Sequence, residues 1–174
     1  MTSNLQYTNP LLARTSREPS LALRQARSTD VAELHALDEK IFQKVAYPYF
    51  LMRQLVDIYG PHLLVLDDDE HLHGYVLAAT SAHNRESWIL GLCVAMDHRG
   101  EGLGRLLMAA ILEQLRKDGI QVVRLTVEPE NRVAVRLYEH FGFLPEGPEN
   151  GLRSDYFGPG EHRLVMRLAL QGAA

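Results

Sequence analysis

The sequence is poor in the residues that would define most special classes of protein. Cys93 is the single cysteine among 174 residues, which excludes an internal disulfide and fits a reducing compartment. Lysine and arginine total 18 against 22 aspartates and glutamates, a net charge of −4, so the basic excess that nucleic-acid partners usually meet is missing. No apolar run approaches the ~20 residues of a membrane span. The opening stretch, MTSNLQYTNPLLARTSREPS, lacks the apolar core of a secretory signal and reads as a polar arm over residues 1–20. The eight histidines form no H-E-x-x-H and no Cys/His cluster with ligand spacing, so no catalytic metal is expected. These absences together predict a cytoplasmic protein with neither nucleic acid nor membrane as partner.

What is present is one domain's worth of periodic sequence over 21–170, with no internal repeat and no linker. LALRQA (21–26) alternates as a first strand. A helix follows over 28–42, with Ser28, Thr29 and Asp30 as cap residues and Val31, Leu34, Leu37 and Ile41 at helical spacing. YFLMRQLVDIYGP (49–61) is a second helix, stopped by Gly60 and Pro61. HLLVLDDDEHLHGYVLAAT reads as a hairpin around an acidic turn that carries His71 and His73 into solvent. SWILGLCVAM (87–96) is apolar at nearly every position, which predicts a fourth strand buried on both faces. Leu103, Leu106, Leu107, Ala110, Ile111 and Leu115 mark a third helix, QVVRLTV a fifth strand, and Val133, Leu137 and Phe141 one face of a fourth helix. FLPEG and EHRLVMRLAL close the chain as strands joined by a Gly/Pro-rich loop. Hairpins mixed with crossover helices imply an α/β protein with a mixed sheet.

Between the fourth strand and the third helix lies HRGEGLGRLL, with glycine at 100, 102 and 104. A strand entering a glycine-rich turn and then a helix presents free backbone N–H groups to an anion, and Arg99 and Arg105 flank the turn. A purely structural turn is the alternative. The dinucleotide fingerprint fails, because its third glycine would fall on Arg105 or Leu107. The P-loop fails as well, for want of Gly-Lys-Ser/Thr at the required distance.

Arg99-Gly100-Glu101-Gly102-Leu103-Gly104 matches R/Q-x-x-G-x-G/A, and ENRVAVRLYEHFGF matches N-x-x-A-x-x-L-Y-x-x-x-G-F at each fixed position. With these motifs in this order, the chain resembles the GNAT superfamily of N-acetyltransferases over 21–170. The resemblance implies the GNAT fold: a mixed, mostly antiparallel sheet in which the parallel fourth and fifth strands splay apart, flanked by helices. It implies acetyl-CoA as cosubstrate, its pyrophosphate held by Arg99, Gly100, Glu101, Gly102, Leu103, Gly104 and Arg105. It further implies that the main chain of Leu92, Cys93 and Val94 takes the pantetheine arm, with Asn131 contacting the cofactor. An N–H at or beside Val94 polarises the thioester carbonyl, and Tyr138 acts as general acid to the leaving thiolate. Cys93, with no His-Asp pairing evident, reads as a small buried hydrophobe rather than a nucleophile.

The chain resembles the ribosomal-protein N-terminal acetyltransferases further, but departs from them at the base. Where they carry a glutamate twelve residues before the tyrosine, this chain has Thr126; where relatives carry a fourth-strand tyrosine, it has Trp88. Glu128, two residues along, points to the same side as Thr126 and is the nominated base, with water chains as the alternative. KVAYPYF (44–50) and RSDYFGPGEHRLVM (153–166) occupy the acceptor-binding loops, with Tyr156 and Phe157 in place of a tyrosine pair. The expected acceptor is a peptide or protein N-terminal amine. A small-molecule amine (aminoglycoside, polyamine or amino acid) and a catalytically silent acyl-CoA-binding module are the alternatives. By analogy a homodimer is open, through the arm and the last strand.

Overall fold

In a computed structural model, residues 21–81 and 83–170 are described, and the expected arm over 1–20 lies outside them. The chain runs β1 (Ala22–Gln25), α1 (Val31–Phe42), α2 (Tyr49–Tyr59), β2 (Leu63–Asp67), β3 (Leu72–Thr80), β4 (Glu86–Val94), α3 (Leu103–Lys117), β5 (Val122–Val127), α4 (Arg132–His140), β6 (Leu144–Pro145), β7 (Leu152–Arg153) and β8 (Arg163–Ala169). This is the order read from the sequence, with one addition. Leu152 and Arg153, inside the expected Gly/Pro-rich loop, pair with Leu164 and Arg163 of β8.

The sheet order is β1-β2-β3-β4-β5-β8-β6, with β7 beside β6 on the outer edge of β8. Among the described residues only β4 and β5 run parallel; every other pairing is antiparallel. Period-two alternation divides the strands between two cores. Leu64, Leu66, Val76, Ala78, Val123, Leu125 and Val127 turn to one face and meet α3 and α4. Leu63, Val65, Tyr75 and Leu77 turn to the other and meet α1 and α2.

Three local expectations need correction. The Asp30 carboxylate does not cap α1; it accepts from the Arg27 N–H (2.7 Å) and pairs with the Arg24 guanidinium (2.7 Å), which also bonds Asp67. On α3 the inward row is Leu107, Met108, Ile111, Leu112 and Leu115, while Leu106 is exposed; on α4 it is Val135 and Tyr138, while Val133 points out. An isolated helix pattern fixes the stripe only to about one residue, and the sheet's position decides the rest. His71 is exposed as expected, but His73 is not on a solvated turn: it is half-buried, paired with Asp68 at 2.7 Å and packed edge-to-face on His98.

Candidate active site

β4 pairs with β5 only from Glu86↔Val122 to Ile89↔Leu125. Past that point β4 stays bonded to β3 as far as Val94↔Gly74, and β5 to β8 as far as Val127↔Leu164. Two strands held along their outer edges thus part along their shared one. The parting coincides with a β-bulge, because the β3–β4 register slips between Leu77 and Ala78 and leaves Leu90 unmatched. One extra residue reverses the faces beyond it. Ile89 lies in the core under α3, whereas Cys93, four residues on, lies in the core under α1 and α2. The expectation that this strand is buried on both faces is therefore corrected: Leu90 is 39% exposed, and Leu92 and Val94 are half-buried at the gap. Cys93 is sealed in, and burial pushes its thiol far above the ordinary range, which bars thiolate chemistry near neutral pH.

The glycine turn follows directly. Gly100 (φ +87°) and Gly102 (φ +82°) are left-handed, and a Cβ on either would meet nothing within 4 Å. Glycine is needed there for the backbone angle rather than for space, and the surface above the turn stays open. Gly102 is the N-cap of α3 and brings no side chain to cap it. The first intrahelical bond runs from Leu106 N–H to the Gly102 carbonyl at 3.1 Å, leaving the amides of Leu103, Gly104 and Arg105 as free donors. Arg99 and Arg105 are exposed and join no ion pair among the described residues, whereas Glu101 is engaged with His98 at 3.1 Å. Free amides, a positive helix end and two unpaired guanidinium groups suit a diphosphate, and the gap behind them suits an extended arm.

Tyr138 projects from α4 into the buried cluster that holds Val127 and receives Leu92 and Val94, so it reaches the sheet face where the strands part. Its ring is 7% exposed and sits edge-on to Phe143 at 6.0 Å. Burial alone pushes the phenol up to about 12, so it stays protonated across the working range. Asn131 caps α4, its side-chain oxygen accepting from Ala134 N–H at 3.1 Å, and its amide nitrogen makes no bond among the described residues. Glu128 stands one residue past the end of β5, exposed, with Arg163 at 3.7 Å. Trp88 and Arg124 stack across the paired part of β4 and β5, 6.0 Å apart.

Side chains of the two expected acceptor loops, and a buried carboxylate behind one of them, also meet the strands around the gap. Tyr47, between α1 and α2, donates its hydroxyl to the Leu90 carbonyl at 3.0 Å. Its own N–H donates to Asp38 at 2.6 Å, and the same fully buried carboxylate accepts the Tyr75 hydroxyl. The sequence signal was available: Asp38 falls four residues after Leu34, on the apolar stripe of α1. On the far lip, Arg163 is 4% exposed, lies 4.6 Å from the centre of the Phe157 ring and pairs with Glu161 at 3.2 Å.

Residues 29–143 match the model of the acetyltransferase (GNAT) family. A mycothiol acetyltransferase of Brachybacterium faecium is 33% identical over 115 residues, covering 64% of this chain and 32% of the relative. The ribosomal protein bS18 alanine N-acetyltransferase of Escherichia coli K12 is 32% identical over 72 residues, covering 41% of this chain and 46% of the relative. These aligned segments thus span about a third to a half of the relatives' lengths. The crystal structure of Ard1 from Thermoplasma volcanium superposes with a TM-score of 0.77 at 21% identity, over 87% of this chain and 98% of that one. A family match across most of the described residues, on the expected fold, settles the assignment: the chain belongs to the acetyltransferase (GNAT) family.

Proposed function

We propose that this chain moves the acetyl group of acetyl-CoA onto the N-terminal amine of a peptide or protein, by direct attack within the gap between β4 and β5. One observation carries the reading: the two strands separate after Ile89 and Leu125 while both outer edges remain paired. That arrangement leaves main-chain groups unbonded along one lip, as an extended ligand requires. When bound, acetyl-CoA supplies an activated acyl group on a good leaving thiol. Gly100, Gly102 and the first-turn amides of α3 hold its diphosphate, with Arg99, Glu101 and Arg105 around them and Asn131 nearby. Leu92, Cys93 and Val94 offer the main chain to the arm, and an amide at or beside Val94 stabilises the charge that grows on the thioester oxygen. Tyr138 hands its proton to the departing sulfur, and Glu128 takes the proton of the attacking amine.

The peptide acceptor is supported by aromatics on both lips. Tyr49 and Phe50 stand just after Tyr47 on the β4 side, at 51% and 67% exposed, and Tyr156 and Phe157 stand beside Arg163 on the other. The bS18 alanine relative supports it too; the mycothiol relative supports a small acceptor instead. The test is thiol release from acetyl-CoA with peptides of free N-terminus, the same peptides N-blocked, a polyamine and an aminoglycoside. Release with free peptides alone bears the proposal out. Release confined to the small amines moves the acceptor class, and none with any amine makes the domain a silent binder.

A further inference from the structure

A carboxylate in an apolar core is costly unless hydrogen-bond donors meet its oxygens. Asp38 is such a carboxylate: it is fully buried on the inward row of α1, with Leu34 and Leu37, and no ion pair among the described residues engages it. Both its oxygens are occupied. Oδ1 accepts the Tyr75 hydroxyl, and Oδ2 accepts the Tyr47 N–H at 2.6 Å.

Both links lead to the bulge of β4. The Tyr75 hydroxyl lies under Gly91, where a Cβ would come within 2.9 Å of it. The Tyr47 hydroxyl bonds the carbonyl of Leu90 at 3.0 Å. Leu90 and Gly91 are where β4 leaves β5 and reverses its faces, immediately before Leu92, Cys93 and Val94. From the sheet face opposite α3, one carboxylate thus grips the two residues that decide where the following amides point. Such tethers fix backbone direction more tightly than apolar packing does, because hydrogen bonds are directional.

We infer that Asp38 is a positioning residue for acetyl transfer: through Tyr75 and Tyr47 it sets the bulge at Leu90–Gly91, and with it the aim of the amides that polarise the thioester carbonyl. The inference rests on the gap being the acetyl-CoA site, so the experiment separates the two. Acetyl-CoA labelled with 13C at the acetyl carbonyl is bound to the wild-type chain and to Asp38→Leu, Asp38→Asn and Tyr75→Phe, and the carbonyl infrared band is read alongside Tm and turnover. The wild-type chain moves the band to lower frequency. Asp38→Leu, which leaves the Tyr75 hydroxyl and the Tyr47 N–H without an acceptor, lowers Tm, returns the band most of the way to its free position, and lowers kcat ~10- to 100-fold, the scale of an ångström's misplacement, with KM for acetyl-CoA within about threefold. Tyr75→Phe, which keeps the ring over Gly91, shows a smaller change in the same direction even if the Asp38 variants fail to fold. Folded variants with a wild-type band and kcat overturn the role of Asp38 alone. A wild-type band that does not move on binding overturns the site reading, and the inference with it.

Discussion

Tyr138→Phe removes one oxygen from a buried ring. The hydroxyl contributes no hydrogen bond that shifts its titration, so its loss strands no partner, and the edge-on contact with Phe143 is kept. Stability should therefore change by no more than about 0.5 kcal/mol. CoA affinity should hold as well, because the diphosphate turn and the lip of the gap lie on other elements. The chemical step is different. A phenol near 12 giving its proton to a thiolate whose parent thiol titrates near 8.5 runs uphill by about 3.5 units, or about 5 kcal/mol. That fits within the ~16 kcal/mol barrier of an enzyme turning over at about 10 per second, so the transfer is feasible but leaves the departing sulfur dependent on the donor. Without it, kcat should fall ~10²-fold or more, about 2.7 kcal/mol of barrier. Because the folded phenol titrates near 12, the wild-type rate should show no alkaline limb from this group below about pH 11. Steady-state thiol release, calorimetry with CoA and thermal melting separate these three expectations. A kcat within threefold of wild type, in a variant that binds CoA normally, refutes the acid role.

Gly102→Ala and Gly119→Ala each place a Cβ in open space at positive φ, +82° and +76°, so each should cost roughly 1–2 kcal/mol of stability. Only the first lies in the diphosphate turn, and only it should weaken CoA binding in calorimetry; equal affinities would sink the turn's assignment. Glu128→Gln should lower kcat/KM for the acceptor ~10²-fold near neutral pH if this carboxylate takes the amine proton, and an unchanged profile would leave water as the base. Burial raises both Tyr47 and Tyr138 to about 12. Between pH 10 and 12 the unfolded chain releases these protons and the folded chain keeps them, so stability is full below pH 10 and declines above it. The loss approaches about 2 to 3 kcal/mol for each tyrosine, and Tyr138→Phe should flatten the decline seen by denaturant titration.

The order of elements was legible because each carries its own period, from the heptad-like leucines of α3 to the alternation of β5. The glycine turn before α3 was legible because left-handed backbone demands glycine, a requirement written into sequence at Gly100 and Gly102. What pairing decides was not legible. Which residues of an apolar helix face meet the sheet depends on a neighbour distant in sequence: Leu137 and Phe141 pack on the core, while Val133, on the same face, is 77% exposed. The two-residue β7 has no pattern of its own and exists because β8 offers it an edge. Arg163 reads as a strand-end cation, yet it is sealed between Glu161 and the Phe157 ring, a contact that needs the returning loop.

The fourth strand shows how one local irregularity shapes the gap between β4 and β5. A strand that is apolar at nearly every position looks buried on both faces, but the pattern has a second cause. Residues before the bulge must match one core and residues after it the other, so the sequence stays apolar across a reversal of phase. Ile89 and Cys93 share a parity in sequence yet belong to opposite cores. The bulge falls where the pairing of β4 with β5 ends, and Leu90 at it is exposed rather than buried. Diverging strands would ordinarily re-pair by sliding one residue. Here that slide would turn Cys93 toward α3 and would drive a side chain into the place that Gly91 leaves for the Tyr75 ring. The gap is therefore held open by packing on the face away from it, so substitutions around Tyr75 and Gly91 should affect turnover even though they touch no ligand.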